Sequence, residues 1–166
     1  FQMNINVSYV QITQGSVEDD IIEVIKKYAL DPASICIEMT ESGFIDMTIP
    51  FIRFRHKLES NRIHFVIDDF GTGYSNLHCI SDMNPDYIKI DRDFTAKAMD
   101  GQRDYELFKN IITMIHSVNA RICVEGIEQR EWCQKMKKMG ADLLQGYFYG
   151  KPCKKSDFIT NYVRGN

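Results

Sequence analysis

The sequence lacks long apolar runs and an excess of basic charge. No run approaches the ~20 apolar residues that a membrane span needs. The formal net charge is -3, so the basic surface that duplex nucleic acid usually demands is missing as well. Neither membrane contact nor duplex binding is indicated for these residues, and any nucleotide ligand must be held by a local site.

Metal-binding patterns built on cysteine or histidine are also missing. The five cysteines include no CxxC pair, and the four histidines form no HExxH pattern. Zinc sites and disulfide frameworks are therefore not predicted, and the cysteines are interpreted as reduced thiols of a cytosolic protein. We expect a cytoplasmic domain whose parent protein can still be membrane-anchored through other domains.

Glycine-rich phosphate-binding motifs are weak. Gly71-Thr72-Gly73 lacks the Lys-Ser/Thr that follows in a phosphate-cradling P-loop, and no GxGxxG pattern occurs. These glycines are better explained as part of a tight, mobile loop that leaves the end of a strand.

What the sequence does contain is a regular alternation of short apolar runs and helical segments. Strands are predicted at residues 3–7, 34–38, 63–68, 87–90, 121–125 and 142–145. Helices are predicted after Ser16, from about residue 48, along the apolar stripes at 107–115 and 132–139, and at 156–162. This alternation favours a parallel sheet with helices packed outside it.

Two architectures fit that pattern, an open doubly wound sheet and a (β/α) barrel. The polar residues of the first strand share one face, and Lys89 and Asp91 face one way while Ile88 and Ile90 face the other. A sheet covered by helices on both faces would read as continuously apolar. Polar residues on an inner face suit a TIM-like barrel, which we therefore predict.

The predicted barrel is incomplete. Eight βα units usually need ~250 residues, and the 166 residues carry about six predicted strands. We expect the first two units to be absent. The exposed sheet edge would then be covered by self-association or by the missing N-terminal segment.

Every predicted strand brings a polar side chain to its carboxyl end. Asp, Asn and Glu at such positions often only cap the following helix, and for any single one this explanation is as good as a functional one. Six successive strands are harder to explain in that way. The strand-end residues are Asn6, Glu38, Asp68 with Asp69, Lys89 with Asp91, Glu125 and Gln145.

Carboxylates that converge at one rim repel one another and need cations. Oxygen ligands without His or Cys suit Mg²⁺ or Mn²⁺. Adjacent Asp68 and Asp69 could serve two metal ions ~3.5–4 Å apart, an arrangement that supports in-line phosphodiester cleavage. Lys89 beside them could orient a water molecule or stabilise a phosphate. The residues thus predict metal-dependent phosphoester chemistry.

The run Asp68-Asp69-Phe70-Gly71-Thr72-Gly73-Tyr74-Ser75-Asn76-Leu77 resembles the DDFGTGYSSL signature of EAL-domain cyclic-di-GMP phosphodiesterases. Other blocks resemble the family's NLS, ELTE, DxxKID, AEGVE and QGYYF…P motifs, in the family's order and over essentially the whole chain. They are residues 6–8, 38–41, 86–91, 124–128 and 145–152.

The resemblance implies a modified (β/α)₈ barrel that linearises cyclic-di-GMP to pGpG with two Mg²⁺ or Mn²⁺ ions in bacterial signalling. By motif, it implies a set of metal-binding residues. These are Asn6, Glu38 and Asp68 as ligands, Asp69 on the second ion, and Asp91 close by.

The resemblance also implies roles around the metals. Lys89 would hold the attacking water, and Glu125 would be either its general base or a metal ligand; the sequence leaves both open. Glu41 would brace the loop that begins at Asp69. Gln145 would lie in the second layer of the site or contact substrate, and Glu128 would support the rim or cap the next helix.

One departure from the family is clear. Glu-Ala-Leu followed by arginine, which supplies a metal ligand and a phosphate contact, does not occur in the 166 residues. We therefore expect residues 1–166 to be the C-terminal portion of a single EAL domain and to turn over cyclic-di-GMP weakly or not at all. Two alternatives stay open, a non-catalytic cyclic-di-GMP receptor and a protein-binding regulatory module.

Overall fold

The computed structural model describes residues 1–40, 47–72 and 77–163. Its six strands are β1 (Met3–Asn6), β2 (Ile35–Thr40), β3 (His64–Phe70), β4 (Tyr87–Ile90), β5 (Arg121–Val124) and β6 (Leu143–Leu144). The α-helices described are α1 (Tyr9–Gln14), α2 (Val17–Lys27), α3 (Ile49–Ser60), α4 (Leu77–Met83), α5 (Arg92–Asp100), α6 (Gln102–Ser117), α7 (Arg130–Met139) and α8 (Lys155–Phe158). A 3-10 turn precedes β2 and a π-helical turn follows α8.

The strands form one parallel sheet in the order β1-β2-β3-β4-β5-β6. A doubly wound sheet reverses its strand order at a switch point, whereas here each strand pairs with the next along the chain. The sheet is thus a half-barrel with helices outside, and the prediction of a partial TIM-like (β/α) barrel of about six units is confirmed. Within the described residues, no helix is long and apolar enough to cross a membrane.

The main core lies between the outer face of the sheet and the helices. Phe51 and Phe54 of α3 and Phe65 of β3 are fully buried, and the ring of Phe65 lies 6.1 and 6.4 Å from those of Phe51 and Phe54. Removing one such ring typically costs about 3–5 kcal/mol. A second, smaller apolar cluster of Cys36, Val66 and Tyr87 lies apart from this core, on alternate residues of the same strands. The two clusters mark the outer and inner faces of the half-barrel.

Two aspartates hold the strands at the end opposite the predicted rim. Asp86 lies one residue before β4, and its Oδ2 accepts the backbone N–H of Phe65 in β3 at 2.8 Å. Asp142 lies one residue before β6, and its Oδ2 accepts the N–H of Ile122 in β5 at 2.8 Å. Each carboxylate also pairs with a histidine, at 3.4 Å for His64 and 2.9 Å for His116. These bonds help to fix the pairing register of the strands. The register in turn sets which residues reach the opposite, carboxyl ends.

Candidate active site

The rim is formed by the carboxyl ends of the parallel strands. Asn6 at the end of β1 lies opposite Glu38 of β2, and Thr40 at the end of β2 lies opposite Asp68 of β3. Because parallel strands end on the same edge, these side chains meet at one end of the half-barrel. Asn6 is exposed there, and Glu38 is buried.

Asp68 and Asp69 reach the site together because β3 is irregular. Consecutive residues of a regular strand point to opposite faces. The pairing of β3 with β4 shifts register between Ile67 and Phe70, and Asp69 has a left-handed backbone with φ of 57°. An oxygen of Asp68, one of Asp69 and one of Glu125 all lie within 4.8 Å of one another.

Lys89 is the centre of charge contacts in the site. Its Nζ lies 3.0 Å from Glu38 Oε1, 3.0 Å from Asp68 Oδ1 and 2.8 Å from Glu125 Oε1. The Lys89 side chain is only 8% exposed. Burial disfavours the charged ammonium, but the contacts with Glu125 and Asp68 outweigh it and hold the pKa of Lys89 above its ordinary value. One buried cation on β4 thus contacts carboxylates from β2, from β3 and from the end of β5.

Three carboxyl groups at the rim, those of Glu38, Asp69 and Glu125, have pKa values above their ordinary values. Burial raises the pKa values of Glu38 and Glu125, against the opposing attraction of Lys89. Burial and the charges of Asp68 and Asp91 raise the pKa of Asp69. A single ammonium therefore does not compensate the negative charge gathered at the rim.

The donor set fits a divalent cation that prefers oxygen ligands. Glu38 Oε1 is buried and lies 3.0 Å from the Lys89 Nζ, with which it forms an ion pair. The convergent oxygens of Asp68, Asp69 and Glu125 add further ligand atoms. Mg²⁺ and Mn²⁺ are bound by such carboxylates, and a bound ion would offset the negative charge gathered at the rim.

The remaining predicted residues are placed less centrally. Asp91 caps α5, because its Oδ1 accepts the N–H of Asp93 at 2.8 Å. The charge of Asp91 also raises the pKa of Asp69. Asp91 therefore lies close to the rim carboxylates while it caps α5. Glu128 and Gln145 are exposed after β5 and β6. Glu41 falls outside the described residues, and its bracing role stays a prediction.

Sequence reasoning included Gly126 in the block at residues 124–128 but assigned it no role. Gly126 has φ of 73°, and a Cβ built on it would lie 2.5 Å from Arg92 Cβ and 3.0 Å from Arg92 Cα. Only glycine fits there without displacing the start of α5. A glycine that directly follows a strand-end glutamate was the sequence signal for this close approach.

Taken together, the fold is an α/β half-barrel with an acidic site and a buried lysine at its carboxyl rim. The chain belongs to the EAL domain family, whose model matches residues 1–152.

Individual relatives agree with this assignment. Cyclic di-GMP phosphodiesterase PdeL of Escherichia coli is 29% identical over 163 residues, which cover 98% of this chain and 45% of PdeL. The EAL domain of Mycobacterium smegmatis DcpA superposes with a TM-score of 0.91 at 27% identity, over 100% of this chain and 74% of that one.

A solved structure with bound metal shares the fold. BlrP1 of Klebsiella pneumoniae, in complex with manganese and cyclic-di-GMP, superposes with a TM-score of 0.82 at 24% identity, over 92% of this chain and 39% of that one. The same protein was also solved with calcium. The chain spans less than half the length of PdeL.

Proposed function

We propose that the rim site hydrolyses cyclic-di-GMP to linear pGpG with Mg²⁺ or Mn²⁺. The observation that carries the proposal is the Lys89 ammonium within 3.0 Å of carboxylates from β2, β3 and the end of β5, beside the paired Asp68 and Asp69. Membership of the EAL family and the likeness to PdeL support cyclic-di-GMP as the substrate.

We propose the following roles for the metal ions and the residues around them. Two bound ions would neutralise substrate charge and acidify a water molecule. Their proposed ligands are Asn6, Glu38, Asp68, Asp69 and Asp91.

Lys89 and Glu125 would position and deprotonate the water molecule that attacks phosphorus. The Lys89 Nζ, fixed by three carboxylates, would orient the attacking water, and Glu125 would accept its proton. The water oxygen bonds to phosphorus, the P–O3′ bond breaks, and the freed 3′ oxygen takes up a proton. The product keeps its 5′ phosphate, which gives pGpG.

The 166 residues contain no Glu-Ala-Leu-Arg run. That motif supplies one metal ligand and one phosphate contact in the family. We propose that the chain alone is slow for this reason, since loss of a ligand misplaces the ion and ~1 Å of displacement can cost about a hundredfold. A protein that supplies both groups would be fast.

The test measures pGpG formation by chromatography with Mn²⁺, with Mg²⁺ and with EDTA. It compares the chain alone, the chain joined to a segment that supplies the motif, and that longer protein carrying Glu38→Ala. Glu23→Ala, on the exposed face of α2, is the matched control. We expect turnover in the longer protein and its control that EDTA abolishes, and a large loss with Glu38→Ala.

Two outcomes would contradict the proposal. Binding of cyclic-di-GMP without turnover in the longer protein would indicate a receptor. Full activity after Glu38→Ala would remove the rim carboxylates from the mechanism.

A further inference from the structure

Arg92 stands at the rim beside the proposed metal site. It is the first residue of α5, directly after Asp91 and two residues beyond the end of β4. Its Cα and Cβ are so close to Gly126 that a Cβ on that glycine would lie 2.5 Å from the Cβ of Arg92. The backbone of Arg92 therefore packs closely against Gly126, the residue that follows Glu125 after β5.

The guanidinium of Arg92 is accessible to a ligand. Its side chain is 76% exposed, and its Nε lies 3.6 Å from Asp93 Oδ1. That separation is too long for a hydrogen bond, and the Asp93 side chain is itself 79% exposed. Such an exposed ion pair holds the guanidinium only weakly. Lys89, by contrast, is committed to three carboxylates.

A second phosphate bound at the acidic rim would need a positive charge beside it, and Arg92 lies where it can supply one. Cyclic-di-GMP carries two phosphodiesters, on opposite sides of its sugar–phosphate ring. The metals would take the phosphate that is cleaved, and the other phosphate would face a surface rich in carboxylates. An arginine fork at the edge of that surface can bind a phosphate with two charge-assisted hydrogen bonds.

We propose that Arg92 binds the phosphate of cyclic-di-GMP that is not cleaved, and so helps to select a ligand with two phosphodiesters. This inference rests on the proposed function for the identity of the ligand. Arg92 is a substrate-binding residue in this account, and it takes no part in proton transfer.

The experiment compares wild type, Arg92→Gln and Arg92→Lys by calorimetric titration in Mn²⁺, with cyclic-di-GMP and with GMP as ligands. GMP carries a single phosphate, which would bind at the metal site. We expect Arg92→Gln to weaken cyclic-di-GMP binding about fivefold to tenfold, a modest factor because the site is exposed. Binding of GMP should change less than twofold, and Arg92→Lys should be intermediate.

A control and a kinetic readout complete the test. Arg62→Gln removes an exposed arginine at the opposite end of the sheet, before β3, and should leave both affinities unchanged. In an active longer protein, Arg92→Gln should raise KM and leave kcat within about twofold. The difference in cyclic-di-GMP affinity should also shrink as salt is raised.

The outcomes separate the two proposals. Equal loss of affinity for both ligands, no loss for cyclic-di-GMP, or failure of the wild type to bind cyclic-di-GMP would overturn the role of Arg92. Selective weakening of cyclic-di-GMP in a protein that forms no pGpG would support Arg92 and contradict only the hydrolysis.

Discussion

Asp68 and Asp69 are consecutive residues of β3, yet an oxygen of each lies within 4.8 Å of the other. The register shift before Phe70 and the left-handed backbone of Asp69 make this possible. Aspartate is one of the few residues other than glycine that adopts this conformation readily. The strand irregularity is thus what allows one strand to offer two carboxylates to one site.

Replacing Lys89 by methionine tests its role as the cation of the rim. Three carboxylates would then lie together without a counter-charge. We expect the free energy of unfolding to fall by about 3 kcal/mol, the range typical of breaking a buried ion pair. Mn²⁺ should raise the melting temperature of Lys89→Met more than that of the wild type, because the ion replaces the lost charge.

Lys135→Met is the matched control for this experiment. Lys135 pairs with Glu131 at 3.0 Å on the exposed face of α7, so its loss should cost under ~0.5 kcal/mol. Equal melting temperatures of Lys89→Met and Lys135→Met, without Mn²⁺, would contradict the account of the buried ammonium.

Replacing Gly126 by alanine tests the close approach between the ends of β4 and β5. The new Cβ meets the backbone of Arg92 and sits on a left-handed residue. We expect a loss of about 3 kcal/mol in denaturant unfolding, the sum of conformational strain and overpacking. Gly101→Ala is the control, because a Cβ there meets only Asp104 Oδ2, at 3.7 Å. Equal stability of both variants would disprove the steric argument.

The Asp142 carboxylate predicts an acid-dependent contribution to stability. Burial opposes its ionisation, but the N–H of Ile122 and the imidazole of His116 outweigh burial and lower the pKa of Asp142. A lowered carboxyl pKa stabilises the fold above the unfolded value of ~3.9, and this contribution is lost as pH falls through the folded value.

Asp142→Asn should therefore cost about 1 kcal/mol at pH 7, a value reduced for partial exposure. The difference from wild type should disappear at the acid end of a series of urea titrations. A cost that is independent of pH would show that the charge of Asp142 is not involved.

The strands and the rim could be predicted from sequence because they depend on short-range patterns. The apolar run that ends in Glu38 and the Lys89-Ile90-Asp91 alternation fix strand faces directly. In the structure β2 starts one residue later and ends two residues later than predicted, and β6 is shortened to two residues. The end of a strand depends on its hydrogen bonds with the neighbouring strands, and a local sequence pattern does not determine those bonds.

Other features depend on tertiary contacts and were not predicted. The short helices α1, α4 and α5 carry too few turns for a clear apolar period. The capping box of Ser8 and Gln11 at the start of α1 was a usable signal. The shared placement of Asp68 and Asp69 runs against strand alternation, and the three partners of Lys89 come from segments far apart in sequence. The buried Glu18 with its partners Arg53 and Lys57 was also missed.

The position of a bound metal ion tests the central claim most directly. Crystals of the chain grown with Mn²⁺ and measured at the manganese absorption edge give that position without reference to activity. We predict anomalous peaks beside the convergent carboxylates of Asp68, Asp69 and Glu125, within ligand distance of Asp68 or Asp69. Peaks only elsewhere on the molecule, or none at saturating Mn²⁺, would contradict the assignment of the rim as the metal site.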